Sequence, residues 1–271
     1  MSIASEAAVE LALAKWLGAH AFALFAFALC TLLAGTALAR HFVSRHLRPT
    51  LPGMQPSPMP LVLLLVAGFG VIVGAAAAFS EIAEGIGPGG DIARFDDALV
   101  VAIGANLAPA VRDVFAVVTR LGDPATIVAL AALVAIAFVV RGRRRLAFGW
   151  VAALAGNALL NATLKQVFER VRPVHDPAIV DAQGWSFPSG HSSGAVVTYG
   201  LLAYVLVRAL PERWHPPVVL TAAALAFTIG SSRVFVQVHF PSDVVAGFLS
   251  GSAWLAVCVV GFELARRSGA R

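Results

Sequence analysis

The sequence predicts an all-α, polytopic membrane helix bundle, and three observations predict it. Of the 271 residues, 59% are hydrophobic and 13% are charged, with a mean hydropathy of +0.82; a soluble domain carries about 25% charged residues. The apolar residues fall into seven long runs with no convincing strand pattern. The basic residues sit in short clusters beside those runs, as orientation determinants do. The formal net charge of +5 therefore reflects topology, and no nucleic-acid partner is expected.

A membrane helix needs about 20 mostly apolar residues. The first run covers 16–39, and Ala37-Leu38-Ala39 within it has the form of a signal-peptidase site. At 24 residues the run exceeds a signal h-region, and Glu6 and Glu10 stand where a basic leader would be. It is read as a retained helix, in an N-terminal segment 1–48. Residues 49–60, rich in proline, form a cytoplasmic linker to the remainder, 61–271. Six further runs follow at 61–80, 124–140, 146–164, 190–207, 217–232 and 243–262, of which 124–140 and 217–232 are short.

Between the second and third runs, glycines at 85, 87, 89 and 90 make a turn-rich connection. Residues 96–107 and 109–121 read as two short amphipathic helices lying at the interface, carrying Asp96, Asp97, Arg112 and Asp113. Four basic runs fall on one side if the seven spans alternate: Arg40/Arg45/Arg48, Arg141/Arg143/Arg144/Arg145, Arg208/Arg213 and Arg266/Arg267/Arg271. That side is cytoplasmic by the positive-inside rule, so the N-terminus is outside and the C-terminus inside. Cys30 and Cys258 lie far apart in apolar stretches and read as small hydrophobes.

The remaining polar residues collect on the external side. Lys165 and Arg172 are seven apart, two helical turns, with Pro173 ending that helix. Alone, they read first as an interfacial pair of snorkelling side chains. Pro188-Ser189-Gly190-His191 opens the fifth run, where Ser189 is a natural N-cap and the first-turn N–H groups offer an anion site. A merely capped helix has the same appearance. His239 and Asp243, four apart across a helix start near Pro241, can pair so that the carboxylate fixes the imidazole tautomer. A structural turn is the other reading of that pair. Arg233 adds a planar fork suited to phosphate oxygens. His20, His41, His46, His175 and His215 have no carboxylate at ligand spacing, so no metal is expected. Asn157 and Asn161 read as interhelical hydrogen-bonding residues.

Together, Lys165 with Arg172-Pro173, then Pro188-Ser189-Gly190-His191, then Ser232-Arg233 with His239 and Asp243, resemble the three-part phosphatase signature of the type 2 phosphatidic acid phosphatase (PAP2) and vanadium haloperoxidase superfamily. The resemblance implies a six-helix core over 61–262, with the first helix as an addition. It implies that His239 is the nucleophile, Asp243 its orienter and His191 the acid and base. Lys165, Arg172, Arg233, Ser189 and the Gly190 backbone are implied to hold the phosphoryl oxygens, with no cofactor and no magnesium. The expected substrate is a lipid phosphate in the external leaflet, with membrane lipids as the surroundings. An isoprenyl pyrophosphate is the first choice, beside phosphatidylglycerol phosphate, phosphatidic acid and a lipid A phosphate. Trp185 and Phe187 are placed as interfacial aromatics. A phosphotransferase using the same site, or an anion or lipid transporter, are the competing classes. The chain shows neither the repeated halves nor the mid-span polar groups of many transporters. Nothing in the sequence specifies an oligomeric state.

Overall fold

A computed structural model describes residues 3–46, 59–87, 89–174, 180 and 182–268. The linker at 49–58, His175, Arg48 and Arg271 lie outside the described residues. The described residues form ten α-helices: α1 (Ile3–Ala19), α2 (Ala21–His46), α3 (Met59–Gly85), α4 (Asp91–Asn106), α5 (Pro109–Val118), α6 (Pro124–Val140), α7 (Arg144–Phe168), α8 (Gly190–Ala209), α9 (His215–Phe235) and α10 (Pro241–Ser268). No strand occurs among the described residues. Six of these helices are long and apolar enough to cross a membrane, namely α2, α3, α7, α8, α9 and α10. The chain is a multi-pass membrane bundle.

Two features depart from the sequence-based expectation, the continuity of the first apolar run and the exposure of Asp96. The first apolar run is not one helix, because the chain breaks at His20, whose N–H and Nδ1 both bond back to the Trp16 carbonyl. The spanning stretch is Ala21–Val43. The third run is a continuous helix over its full expected length, and its 17 residues give about 26 Å at 1.5 Å per residue, the shortness that the sequence indicates. In the external loop, the helical stretches Asp91–Asn106 and Pro109–Gly122 are bent by 114° to one another, and of the charges they carry Asp97 and Asp113 are exposed while Asp96 is not. Asp96 on α4 is 2% exposed. The reason is specific: Asp96 has buried partners from other helices, described below.

The core of the bundle is α8, which packs against α9, α10 and α7. Val197 and Leu201 of α8 join Trp150, Ala147 and Ala153 of α7 and Phe138 of α6 in one buried cluster. Both indole N–H groups there are satisfied inside the bundle, Trp150 by the Ala131 carbonyl at 3.0 Å and Trp254 by that of Ala153 at 2.8 Å. Such partners matter because a polar group left unpaired in hydrocarbon costs several kcal/mol.

A second cluster lies at the site end. Ala14 of α1, Leu99 and Ile103 of α4, Phe115 of α5 and Phe235, Val236 and Val238 pack together. Phe115 and Phe235 stack with ring centroids 4.2 Å apart, and Phe25 of α2 meets both edge-on. This cluster anchors the segment between Arg233 and His239.

Gly18 permits a close approach of α1 to α4. A Cβ there would stand 2.4 Å from the Ala102 Cβ and within 3 Å of backbone atoms of Ala102 and Ile103. Gly18→Val is therefore expected to cost about 1–3 kcal/mol through overpacking, read as a melting temperature lowered by several degrees in detergent. Gly35→Ala, where a Cβ meets nothing within 4 Å, is the control and should leave the melting temperature unchanged or raised.

Candidate active site

Four helix ends converge at one end of the bundle. Lys165 lies in the last turn of α7, His191 in the first turn of α8, Arg233 in the last turn of α9 and Asp243 in the first turn of α10. Antiparallel neighbours place these four ends in one layer, and the loop between α7 and α8 covers it.

Asp243 is fully buried and organises the layer. Its Oδ2 accepts from His239 Nδ1 at 3.2 Å, from the Phe240 backbone N–H at 3.0 Å and from the Ser186 hydroxyl. Its Oδ1 accepts from Arg170 Nη1 at 2.7 Å. The helix start at Pro241 makes the His239–Asp243 pairing possible, because it puts the carboxylate one turn beyond the imidazole. With the Nδ1 proton directed at Asp243, Nε2 is the ring nitrogen left unprotonated. Arg172 Nη1 lies 3.0 Å from that Nε2. Burial pushes His239 well below the usual imidazole range, to about 3, against the opposing hydrogen bond and charge of Asp243.

Arg172 does not share a helix face with Lys165. α7 ends at Phe168, because Glu169 turns into the left-handed region at φ 44°. Arg172 then lies in the non-helical segment that follows, before Pro173. It is held by carbonyl acceptors: Val238 at 2.8 Å, Gly184 at 3.0 Å, Gln183 at 3.1 Å and Trp185 at 3.3 Å. Lys165 Nζ reaches the same Trp185 carbonyl at 2.5 Å. The loop thus brings together the two cations that the helical spacing does not.

Ser189 caps α8, its hydroxyl accepting from the Ser192 N–H at 3.3 Å and from the Ser192 hydroxyl at 2.9 Å. Its own N–H donates to the Asp243 carbonyl at 3.0 Å, tying the starts of α8 and α10 together. Gly190 approaches α7 closely, where a Cβ would stand 3.0 Å from Asn161 Oδ1. Asn161 Nδ2 in turn reaches the Pro188 carbonyl and the Ser193 hydroxyl, each at 3.4 Å. Phe187, expected at the interface, is instead fully buried against Phe79 and Phe168, while Trp185 stays half-exposed. The Phe187 ring fills the aromatic pocket beneath the loop.

The short 3₁₀ segment Thr119–Gly122 and the residue after it contribute a group that the sequence pattern does not reveal. His191 Nε2 lies 2.9 Å from Asp123 Oδ1, and Arg233 Nη1 donates to Thr119 Oγ1 at 2.8 Å. Gly122 lets the ring of His191 come close, since a Cβ there would be 2.9 Å from its Cδ2. Tyr199 fixes the segment by donating to the Leu121 carbonyl at 2.9 Å. The Nε of Arg233 is buried without a hydrogen-bond partner among the described residues. Arg170, Asp96, Ser186, Thr119 and Asp123 are the members missing from the sequence-level set.

The low position of His239 sets the sign of a pH effect. Between about pH 6.5 and 3 the unfolded chain takes up a proton at this residue that the folded chain does not. Acidification through that window should therefore lower stability. His239→Asn, neutral throughout, should show a shallower fall in melting temperature between about pH 7.5 and 4.5. Parallel slopes for the two proteins would refute this.

The PAP2 superfamily model matches residues 146–267. Phosphatidylglycerophosphatase B of Bacillus subtilis is 43% identical over 107 residues, which make up 39% of this chain and 52%, about half, of that protein. A decaprenylphosphoryl-5-phosphoribose phosphatase of Mycolicibacterium smegmatis is 34% identical over 163 residues, 58% of this chain and 83% of that one. The crystal structure of a transmembrane PAP2 type phosphatidylglycerolphosphate phosphatase from Bacillus subtilis superposes with a TM-score of 0.65 at 30% identity, covering 71% of this chain and 95% of that one. The convergence of helix ends, the signature residues and these matches place the chain in the PAP2 superfamily.

Proposed function

We propose that the protein is an integral membrane lipid-phosphate phosphatase that works through a phosphohistidine. The observation that carries this reading is the state of His239: Nδ1 paired with a buried carboxylate, and Nε2 turned toward a guanidinium at 3.0 Å. A nitrogen so placed is a nucleophile facing an anion site.

In the proposed reaction, His239 Nε2 attacks phosphorus while the bond from phosphorus to the leaving oxygen breaks. His191 gives that oxygen its proton. Water then attacks the phosphohistidine, His191 takes the water's proton, the P–N bond breaks, and inorganic phosphate leaves. Asp243 keeps the His239 ring oriented and offsets the positive charge that forms on it. Arg172, Arg233 and Lys165 surround the phosphoryl oxygens, with the Ser189 hydroxyl and the Gly190 N–H at the α8 N-terminus. Charge spread over the equatorial oxygens is what these groups stabilise, and no step calls for a metal. The unpartnered Nε–H of Arg233 offers such an oxygen a donor.

The substrate presents a terminal phosphoryl group on a lipid. An isoprenyl pyrophosphate is our first choice; an undecaprenyl-diphosphatase of Sulfolobus acidocaldarius, 28% identical over 137 residues, supports it by name, and the decaprenylphosphoryl-5-phosphoribose phosphatase above supports an isoprenyl lipid more broadly. The basic runs support an extracytoplasmic site and a cytoplasmic C-terminus in the cell membrane. Residues 61–271 form the phosphatase core in this reading, with 1–48 added before it.

His239→Ala is expected to lower turnover by about a thousandfold or more, measured as inorganic phosphate released from isoprenyl pyrophosphate in detergent with a chelator present. Unaltered turnover would refute the mechanism. Vanadate, which takes up the five-coordinate geometry of the transferring phosphoryl group, should inhibit the wild-type protein. In a panel with phosphatidylglycerol phosphate, phosphatidic acid and lipid A, the isoprenyl lipid should give the highest kcat/KM; another lipid at the top would replace our first choice.

A further inference from the structure

Arg170 stands outside the three-part pattern, yet its guanidinium joins three elements at the centre of the layer. Nη1 donates to Asp243 Oδ1 at 2.7 Å and to the Ser242 hydroxyl at 2.8 Å, and Nη2 donates to Asp96 Oδ2 at 2.8 Å. The plane of the group lies over Phe240, 4.1 Å from the ring centroid. Asp96 closes the ring on the other side, since its Oδ1 accepts from the Ser242 N–H at 3.3 Å and its Oδ2 from the Ser242 hydroxyl. The Arg170 side chain is 9% exposed, and those of Asp96 and Asp243 are 3% and 0% exposed.

Those contacts decide what Arg170 can do. Both terminal nitrogens bond to buried carboxylates, so the charge of Arg170 is already offset, whereas the acceptors around Arg172 are neutral carbonyls and an imidazole. Its effect falls on the carboxylate of Asp243. That group has two oxygens, and His239, Ser186 and Phe240 all use Oδ2. Holding Oδ1 fixes the carboxylate plane and with it the direction of Oδ2. Without Arg170, a buried oxygen would lose its charge partner and the plane would be free to turn. Asp96 acts in the same way at one remove, holding the guanidinium from α4.

We propose that Arg170, secured by Asp96, is a positioning residue for the nucleophile: it fixes the Asp243 carboxylate so that His239 keeps its proton on Nδ1 and presents Nε2 to phosphorus. The inference rests on the reading of His239 given under Proposed function. Partners of a similar kind behind metal-binding histidines are worth about 10–100-fold in activity.

The test uses the full-length protein in detergent, with a lipid pyrophosphate as substrate and orthovanadate as a phosphate mimic. Arg170→Gln is expected to lower kcat about 10–100-fold while KM and the vanadate inhibition constant stay within about threefold of wild type, less than 0.7 kcal/mol. Its second signature is the acid limb of kcat/KM. His239 is faced by Asp243 from α10, Arg172 from the loop and Arg233 from α9. Removing the charge that offsets Asp243 strengthens the carboxylate's pull on the imidazole proton, so the limb should move to higher pH. Arg170→Lys should restore the position of the limb but only a fraction of kcat, because a lysine keeps the charge and loses the fork. Asp96→Asn, nearly isosteric, should lower kcat in the same way with a smaller fall, and it tests the proposal if Arg170→Gln does not fold.

Weaker vanadate inhibition by about tenfold or more with kcat preserved would make Arg170 a phosphate ligand and overturn the proposal. A uniform loss of active protein, with kcat per active site and the acid limb unchanged, would reduce Arg170 to a fold-stabilising role and overturn it as well. If His239→Ala keeps its turnover, the nucleophile reading fails first. If His239→Ala is inactive and Arg170→Gln behaves as wild type in kcat and pH profile, this inference alone fails.

Discussion

A carboxylate with no access to water must be given its hydrogen bonds by the protein. Asp243 is such a group, and the residues that satisfy it come from separate regions of the chain: Arg170 and Ser186 from the loop after α7, and His239 and Phe240 from the turn before α10. Its backbone carbonyl is also taken, by the N–H of Ser189. Meeting the needs of this one residue therefore fixes the loop against α10 and the start of α8 against the start of α10. The imidazole that is proposed to react is held by the same requirement.

The other half of the layer is built differently. His191 and Arg233 belong to α8 and α9, and both turn to the short segment between α5 and α6, where Asp123 and Thr119 meet them. That segment is in turn tied to α8 through Tyr199. Two supports, one buried and charged, the other half-exposed and turn-like, thus meet around the cationic groups. Their combination explains why residues from four helix ends can share one geometry.

Much of this is legible in the order of residues alone. Long apolar runs with basic flanks state where helices lie, and histidines and arginines that survive in such a sequence stand out because lipid makes them expensive. The same logic hides their supporters. Arg170 and Ser186 sit in a polar loop, where charges and hydroxyls are ordinary, and Asp96 sits among other acids in an external segment. The partners are distant in sequence as well, with Asp96 bonding across 146 residues to Ser242 and Arg233 across 114 to Thr119. Spacing rules also fail where the backbone does something unannounced. No glycine marks the left-handed turn at Glu169, so a helix running on to Arg172 is the natural expectation. No proline or glycine sits at the break at His20 either.

The contact at Gly18 has a wider consequence. By sequence, the first 48 residues look like an addition to the six-helix remainder. By packing, α1 lies against α4, and α4 carries Asp96, whose carboxylate sits two bonded contacts from the His239–Asp243 pair. α2 meanwhile leans on α9, the helix that ends in Arg233. The additional segment thus backs both sides of the layer of helix ends, as a brace stands behind a wall, and the boundary that composition draws at the proline-rich linker does not continue into the folded interior.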